Sequence, residues 1–138
     1  DILDARVSPD GRWLAYSTLN SGRAEVYVQP FAGGGRWQIS TDGGRGPLWA
    51  HSGRELFYRN GNRMMAVTVA AQPAFTPGPP REIFHGSFLP ITSNIGANYD
   101  ITPDDRQFLM VQPAEHPPTT SLVVVLNWFS ELKRLSTR

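Results

Sequence analysis

The chain has 138 residues, of which 13 are Gly, 12 are Pro and none is Cys. That length fits one ordinary domain with its own core, and the absent Cys excludes a disulfide scaffold and Cys-based zinc or nucleophile chemistry. Thirteen cations face 12 anions, for a net charge of +1, and they are mixed along the chain, so the basic patch that nucleic acid calls for is missing.

No segment is suited to membrane insertion. The longest apolar run, residues 122–126, is far short of the roughly 20 residues that span a bilayer. The chain opens Asp1-Ile2-Leu3-Asp4, with neither Met nor a signal peptide, as if cut from something longer.

In chain order, residues 5–8 form a first predicted strand. Pro9-Asp10-Gly11 then supplies a tight turn: Pro presets φ at the second turn position, Asp suits the third, and Gly accepts positive φ at the fourth. Strands over 13–17, 25–29 and 36–40 follow, with Asn20-Ser21-Gly22 and Gly33-Gly34-Gly35 as breaks between them. A second group occupies 47–50, 55–59, 64–69 and 82–85, with a Pro-rich connection over 72–80. A third occupies 99–102, 107–112 and 122–126. Beyond it, Trp128, Phe129, Leu132 and Leu135 fall at helical spacing, with cations near the C-terminal end, which predicts a short helix over 128–135.

The groups are copies of one unit. Val7-Ser8-Pro9-Asp10-Gly11-Arg12-Trp13-Leu14-Ala15-Tyr16 aligns with Trp49-Ala50-His51-Ser52-Gly53-Arg54-Glu55-Leu56-Phe57-Tyr58. It also aligns with Ile101-Thr102-Pro103-Asp104-Asp105-Arg106-Gln107-Phe108-Leu109-Met110. Each reads as strand end, turn, Arg, strand. Four-stranded units recurring every 40 to 50 residues or so predict an all-β fold of β-propeller blades. The expected blades are about 1–42, 43–90 and 91–128, the last incomplete and followed by the helix. A β-sandwich would not need the same turn at the same place in each unit.

The first of these segments resembles the WD40-like (PD40) repeat of TolB-type β-propellers. Thr76-Pro77-Gly78-Pro79-Pro80-Arg81-Glu82-Ile83-Phe84 and Tyr99-Asp100-Ile101-Thr102-Pro103-Asp104 resemble the last blades of propellers fused to bacterial serine/threonine protein kinases. The ending, 122–133, is similar to that family's C-terminus. The resemblance implies a sensory or interaction module, outside the cytoplasmic membrane, and no kinase motif lies within the chain. Two other settings stay open: a regulatory propeller of a prolyl-oligopeptidase-type peptidase, and a TolB-like periplasmic adaptor.

Propellers close with 4–8 blades, and six blades would need roughly 250 residues. Three blades are about half of such a ring and leave two open edges that invite pairing. The expectation is the rest of a longer chain, or a homodimer that completes a six-bladed ring.

Blade geometry sorts the loops. The face opposite the Pro-Asp-Gly turns carries residues 20–23, 42–45, 60–63 and 88–98, rich in Gly, Asn and Arg. Loops on a rigid frame are where binding concentrates, so a protein or small ligand is expected there. The candidate contacts are Arg23, Arg45, Arg63 and Asn98 on that face, Arg6 and Asp100 on the innermost strands beside the channel, and Trp49 as a stacking surface. Catalytic motifs are missing. There is no Gly-x-Ser-x-Gly elbow, and the glycine runs lack a phosphate-loop pattern. His51, His85 and His116 have no partner at ligand spacing. The expectation is a chain that is not itself an enzyme and holds no cofactor, with calcium at Asp100, Asp104 and Asp105 as a minor alternative, since the EF-hand spacing is absent.

Overall fold

The structure, a computed structural model, describes residues 1–20, 22–92, 96–114 and 121–125. The helix expected over 128–135 and His116 lie outside them. The described residues form strands and loops alone. The first sheet has the order β1 (Ile2–Val7), β2 (Trp13–Asn20), β3 (Arg23–Pro30), β4 (Trp37–Gln38). The second runs β5 (Arg45–Trp49), β6 (Glu55–Asn60), β7 (Arg63–Ala70), and β7 then pairs with both β8 (Thr76–Pro77) and β9 (Arg81–His85). The third holds β10 (Tyr99–Ile101), β11 (Phe108–Gln112) and β12 (Ser121–Val125). All pairings are antiparallel between chain neighbours, save that β9 returns to β7. These are blades of a partial β-propeller.

The repeated turn is built the same way each time. Gly11 N–H donates to the Ser8 carbonyl (2.8 Å), Gly53 to Ala50 (2.9 Å) and Asp105 to Thr102 (2.8 Å). The closing residue has positive φ in every copy: 73° at Gly11, 69° at Gly53 and 58° at Asp105. In the first turn the Ser8 hydroxyl donates to Asp10 (2.6 Å), and Asp10 accepts from Arg12 N–H (3.1 Å). In the third, Thr102 and Asp104 repeat this (2.5 Å), with Arg106 N–H at 3.2 Å. The hydroxyl of Ser8 holds the Asp10 carboxyl below the usual range, and Thr102 does the same for Asp104.

Asp105 takes the position that glycine fills elsewhere, and its carboxylate reaches the neighbouring blade. It accepts from the backbone N–H of His51 (2.7 Å) and of Ser52 (2.9 Å). Burial raises its pKa, but these N–H groups and the His51 and Ser52 side chains outweigh burial and hold it below the ordinary value. A carboxyl lowered on folding adds stability above its unfolded value near ~3.9, and that stability is lost as pH falls through the folded value. In urea titrations Asp105→Asn is therefore expected to lose less stability on acidification than the parent chain. Equal acid slopes would remove Asp105 as the cause.

Two apolar cores lie between the three sheets, and alternation along the middle sheet divides them. Leu56 and Tyr58 on β6, with Val67 and Val69 on β7, join Trp13, Ala15, Val26 and Val28 of the first sheet. Phe57, Met64 and Ala66 turn the other way and join Ile83, Phe84, Tyr99, Ile101, Phe108 and Met110. A strand covered on both faces reads as a continuous apolar run rather than an alternating one, as Leu56-Phe57-Tyr58 does. Phe75 leaves the second sheet to pack its ring 4.8 Å from Trp13 and 4.9 Å from Trp37. Phe75 precedes β8, a short strand inside the Pro-rich connection over 72–80. Together β8 and β9 make one edge strand, interrupted at Gly78-Pro79-Pro80. At Gly78 a Cβ would stand 2.5 Å from the Thr68 hydroxyl, so the crossing needs glycine.

Candidate functional site

The face opposite the repeated turns is organised by a buried carboxylate. Glu25, near the start of β3, accepts from the Ser40 hydroxyl, from Gly43 N–H (3.0 and 3.2 Å to its two oxygens) and from Arg23 Nε (3.0 Å). The Ser40 hydroxyl oxygen in turn accepts from Val26 N–H (2.8 Å). This network fixes the connection from β4 to β5. Gly44 is required there, because a Cβ would stand 2.7 Å from Ser40 Oγ and 3.0 Å from the Tyr58 ring. Burial, with the Glu25 charge added, pushes the Tyr58 phenol up to about 12.

Beside this turn lies a cavity of about 520 Å3. Arg23 of β3, the Asp42–Arg45 segment, the β6–β7 hairpin residues 59–62, and Phe88, Pro90 and Ile91 line it. Asp42 at its rim is contacted by Arg23 (3.3 Å) and Arg63 (3.5 Å). Arg45 donates from Nη1 to the Ile91 carbonyl (2.6 Å), and its Nε has no hydrogen-bond partner.

Arg59 was not among the expected contacts. It follows Phe57 on the same face of β6 and so points toward the third sheet, where its guanidinium sits 5.1 Å from the Phe88 ring centre. It is only 3% exposed. Its Nε and Nη2 both donate to the Gly61 carbonyl (3.0 and 2.7 Å), and Nη1 has no partner. No carboxylate pairs with it among the described residues, and burial lowers its pKa.

A second cavity, of about 420 Å3, is lined by all three innermost strands: Arg6 of β1, Leu48 of β5, and Tyr99 and Asp100 of β10, with Asn98 beside them. It brings together Arg6, Asn98 and Asp100 of the expected set. Asn98 is partly used in structure, donating to the Leu89 (3.0 Å) and Pro90 (3.3 Å) carbonyls. The Tyr99 hydroxyl donates to the Gly46 carbonyl (2.6 Å), and burial raises its pKa. Arg23 and Arg45 belong to the first cavity, with Arg63 at its edge. Trp49 joins neither. It is 6% exposed, packs between the first and second sheets, and donates from Nε1 to the Arg6 carbonyl (3.1 Å). Its indole is a core side chain in this arrangement. Among the described residues no group of three or more His, Asp or Glu comes together to hold a metal; Asp104 and Asp105 are engaged by turns.

No protein-family model matches the chain, and no curated protein matches it. Solved structures do. A "putative 6-phosphogluconolactonase" of Bacteroides uniformis is 17% identical over 89% of this chain and 40% of its own, with a TM-score of 0.52. TolB of Acinetobacter baumannii is 13% identical over 92% of this chain and 41% of its own, with a TM-score of 0.43. The chain thus spans about two-fifths of the length of each. The first likeness corrects the expectation that the chain is not an enzyme. A chain of this fold carries an enzyme's name, so missing catalytic motifs do not exclude catalysis, and function has to be read from the site. At 17% identity the likeness itself extends to the fold, and the fold is the β-propeller that the repeated turns predict.

Proposed function

We propose that the chain is a recognition module whose face opposite the repeated turns binds a protein or a ligand. The observation that carries this reading is the cavity of about 520 Å3, a size ordinary for ligand sites. Four separate segments converge on it, and the Glu25 network and the two inter-sheet cores hold them in place. The resemblance to blades fused to bacterial serine/threonine kinases supports a sensory setting for that recognition, outside the cytoplasmic membrane.

A fragment screen followed by amide shift mapping on the intact 138-residue chain tests the reading. Hits are expected to move the amides of Gly43, Arg45, Asn60 and Gly61. Hits confined to the Pro9–Gly11 and Pro103–Asp105 turns, or no hits at all, would overturn it.

A further inference from the structure

We propose that the larger cavity is an anion site, and that it takes a small carboxylate carrying an apolar body. This inference rests on the recognition reading above and narrows it to a ligand class.

Charge is the first observation. Three arginines line the cavity against one carboxylate, Asp42, which already faces Arg23 and Arg63. Arg23 is also paired with Glu25. Arg45 and Arg59 have no acidic partner among the described residues. The second observation is burial. A guanidinium taken from water costs free energy unless charge and hydrogen bonds compensate it. Arg59 is 3% exposed, yet one backbone carbonyl and one aromatic face are its described compensation. A buried Arg without a carboxylate is unusual. An anion seated in the cavity would supply the missing countercharge. The third is that Arg59 Nη1 and Arg45 Nε, one on each of the two cations, are buried without a hydrogen-bond partner, so the protein alone leaves both guanidinium groups incompletely compensated. Phe88, Pro90 and Ile91 add an apolar part to the lining, beside the two arginines. That part favours an organic body over a bare, strongly hydrated ion.

The test compares ligands that differ in charge at constant shape. Phenylacetate, its neutral analogue 2-phenylethanol, the cation 2-phenylethylammonium and inorganic phosphate are titrated into the intact chain, with binding read from the amides of Gly43, Arg45 and Gly61. Phenylacetate is expected to bind at least tenfold more tightly than the alcohol, with a preference that narrows as salt screens it. The ammonium is expected to leave these amides unmoved, and phosphate to bind more weakly than phenylacetate. Arg59→Gln and, independently, Arg45→Gln are each expected to weaken phenylacetate about tenfold or more while leaving the alcohol within about twofold. The ligand series needs no variant, so it stands even if Arg59→Gln folds poorly. Equal binding of acid and alcohol would overturn the anion site but leave the recognition face intact. Tighter binding of phosphate than of phenylacetate would overturn the apolar half of the inference. Silence from all four compounds at these amides would overturn the anion site, and the recognition reading would then be decided by the wider fragment screen.

Discussion

Phe108→Ala is expected to lower the unfolding free energy by about 4 kcal/mol. Phe108 is fully buried, and its ring centre stands 4.9 Å from Phe57, 5.4 Å from Phe84 and 6.5 Å from Tyr99. Those rings come from β6, β9 and β10, so one side chain ties the second sheet to the third. Truncation leaves a cavity that flanking β-strands cannot collapse to fill. Urea denaturation measures the loss, and a double-mutant cycle with Phe57→Ala isolates the edge-to-face pair, expected at about 1 kcal/mol. A loss below about 1 kcal/mol for Phe108→Ala would mean that the two sheets do not share this core.

Glu25→Ala should cost about 3 kcal/mol, because it strands the Ser40 hydroxyl and the Gly43 N–H as buried donors without an acceptor. Arg23 loses its inner partner in the same step. Glu25→Gln keeps the shape and one acceptor oxygen, so it should fall between the parent and Glu25→Ala. Amide exchange at Gly43 gives an independent readout, since its N–H is held by Glu25 alone. Unchanged protection at Gly43, or a stability loss under about 1 kcal/mol, would show that the turn is held by something other than this carboxylate.

The two halves of the molecule were unequally legible in the sequence. The turns were legible because their chemistry is local: Pro9-Asp10-Gly11 and Pro103-Asp104-Asp105 carry their hydrogen-bond partners within a few residues. The other strands are legible from the repeat and from alternation, down to the short outer strand around Trp37, whereas β8 lies in the Pro-rich connection and is not. The Glu25 network was not legible, because its partners lie at positions 23, 40 and 43 and meet only when β3 and the β4–β5 connection come together. The signal for Arg59 lies in its position along β6. Arg59 sits two residues after Phe57 on a strand that the structure covers on both faces, which turns it toward the neighbouring sheet. Trp49 is the complementary case: nearness to an inner strand does not reveal that its indole turns between sheets and finds the Arg6 carbonyl. Residues 23, 42–45 and 60–62 of the expected loops line one cavity.

The interrupted edge strand of the second sheet has a consequence for behaviour in concentrated solution. Pro77, Pro79 and Pro80 offer no N–H along that margin, and the break between β8 and β9 falls where a visiting chain would need an unbroken row of donors. Fibril growth by stacking proceeds through such rows. The first sheet limits the same hazard differently, ending in a β4 of only two residues. Proline and brevity thus act as gatekeepers against amyloid-like stacking at the margins of two sheets rich in β-forming residues.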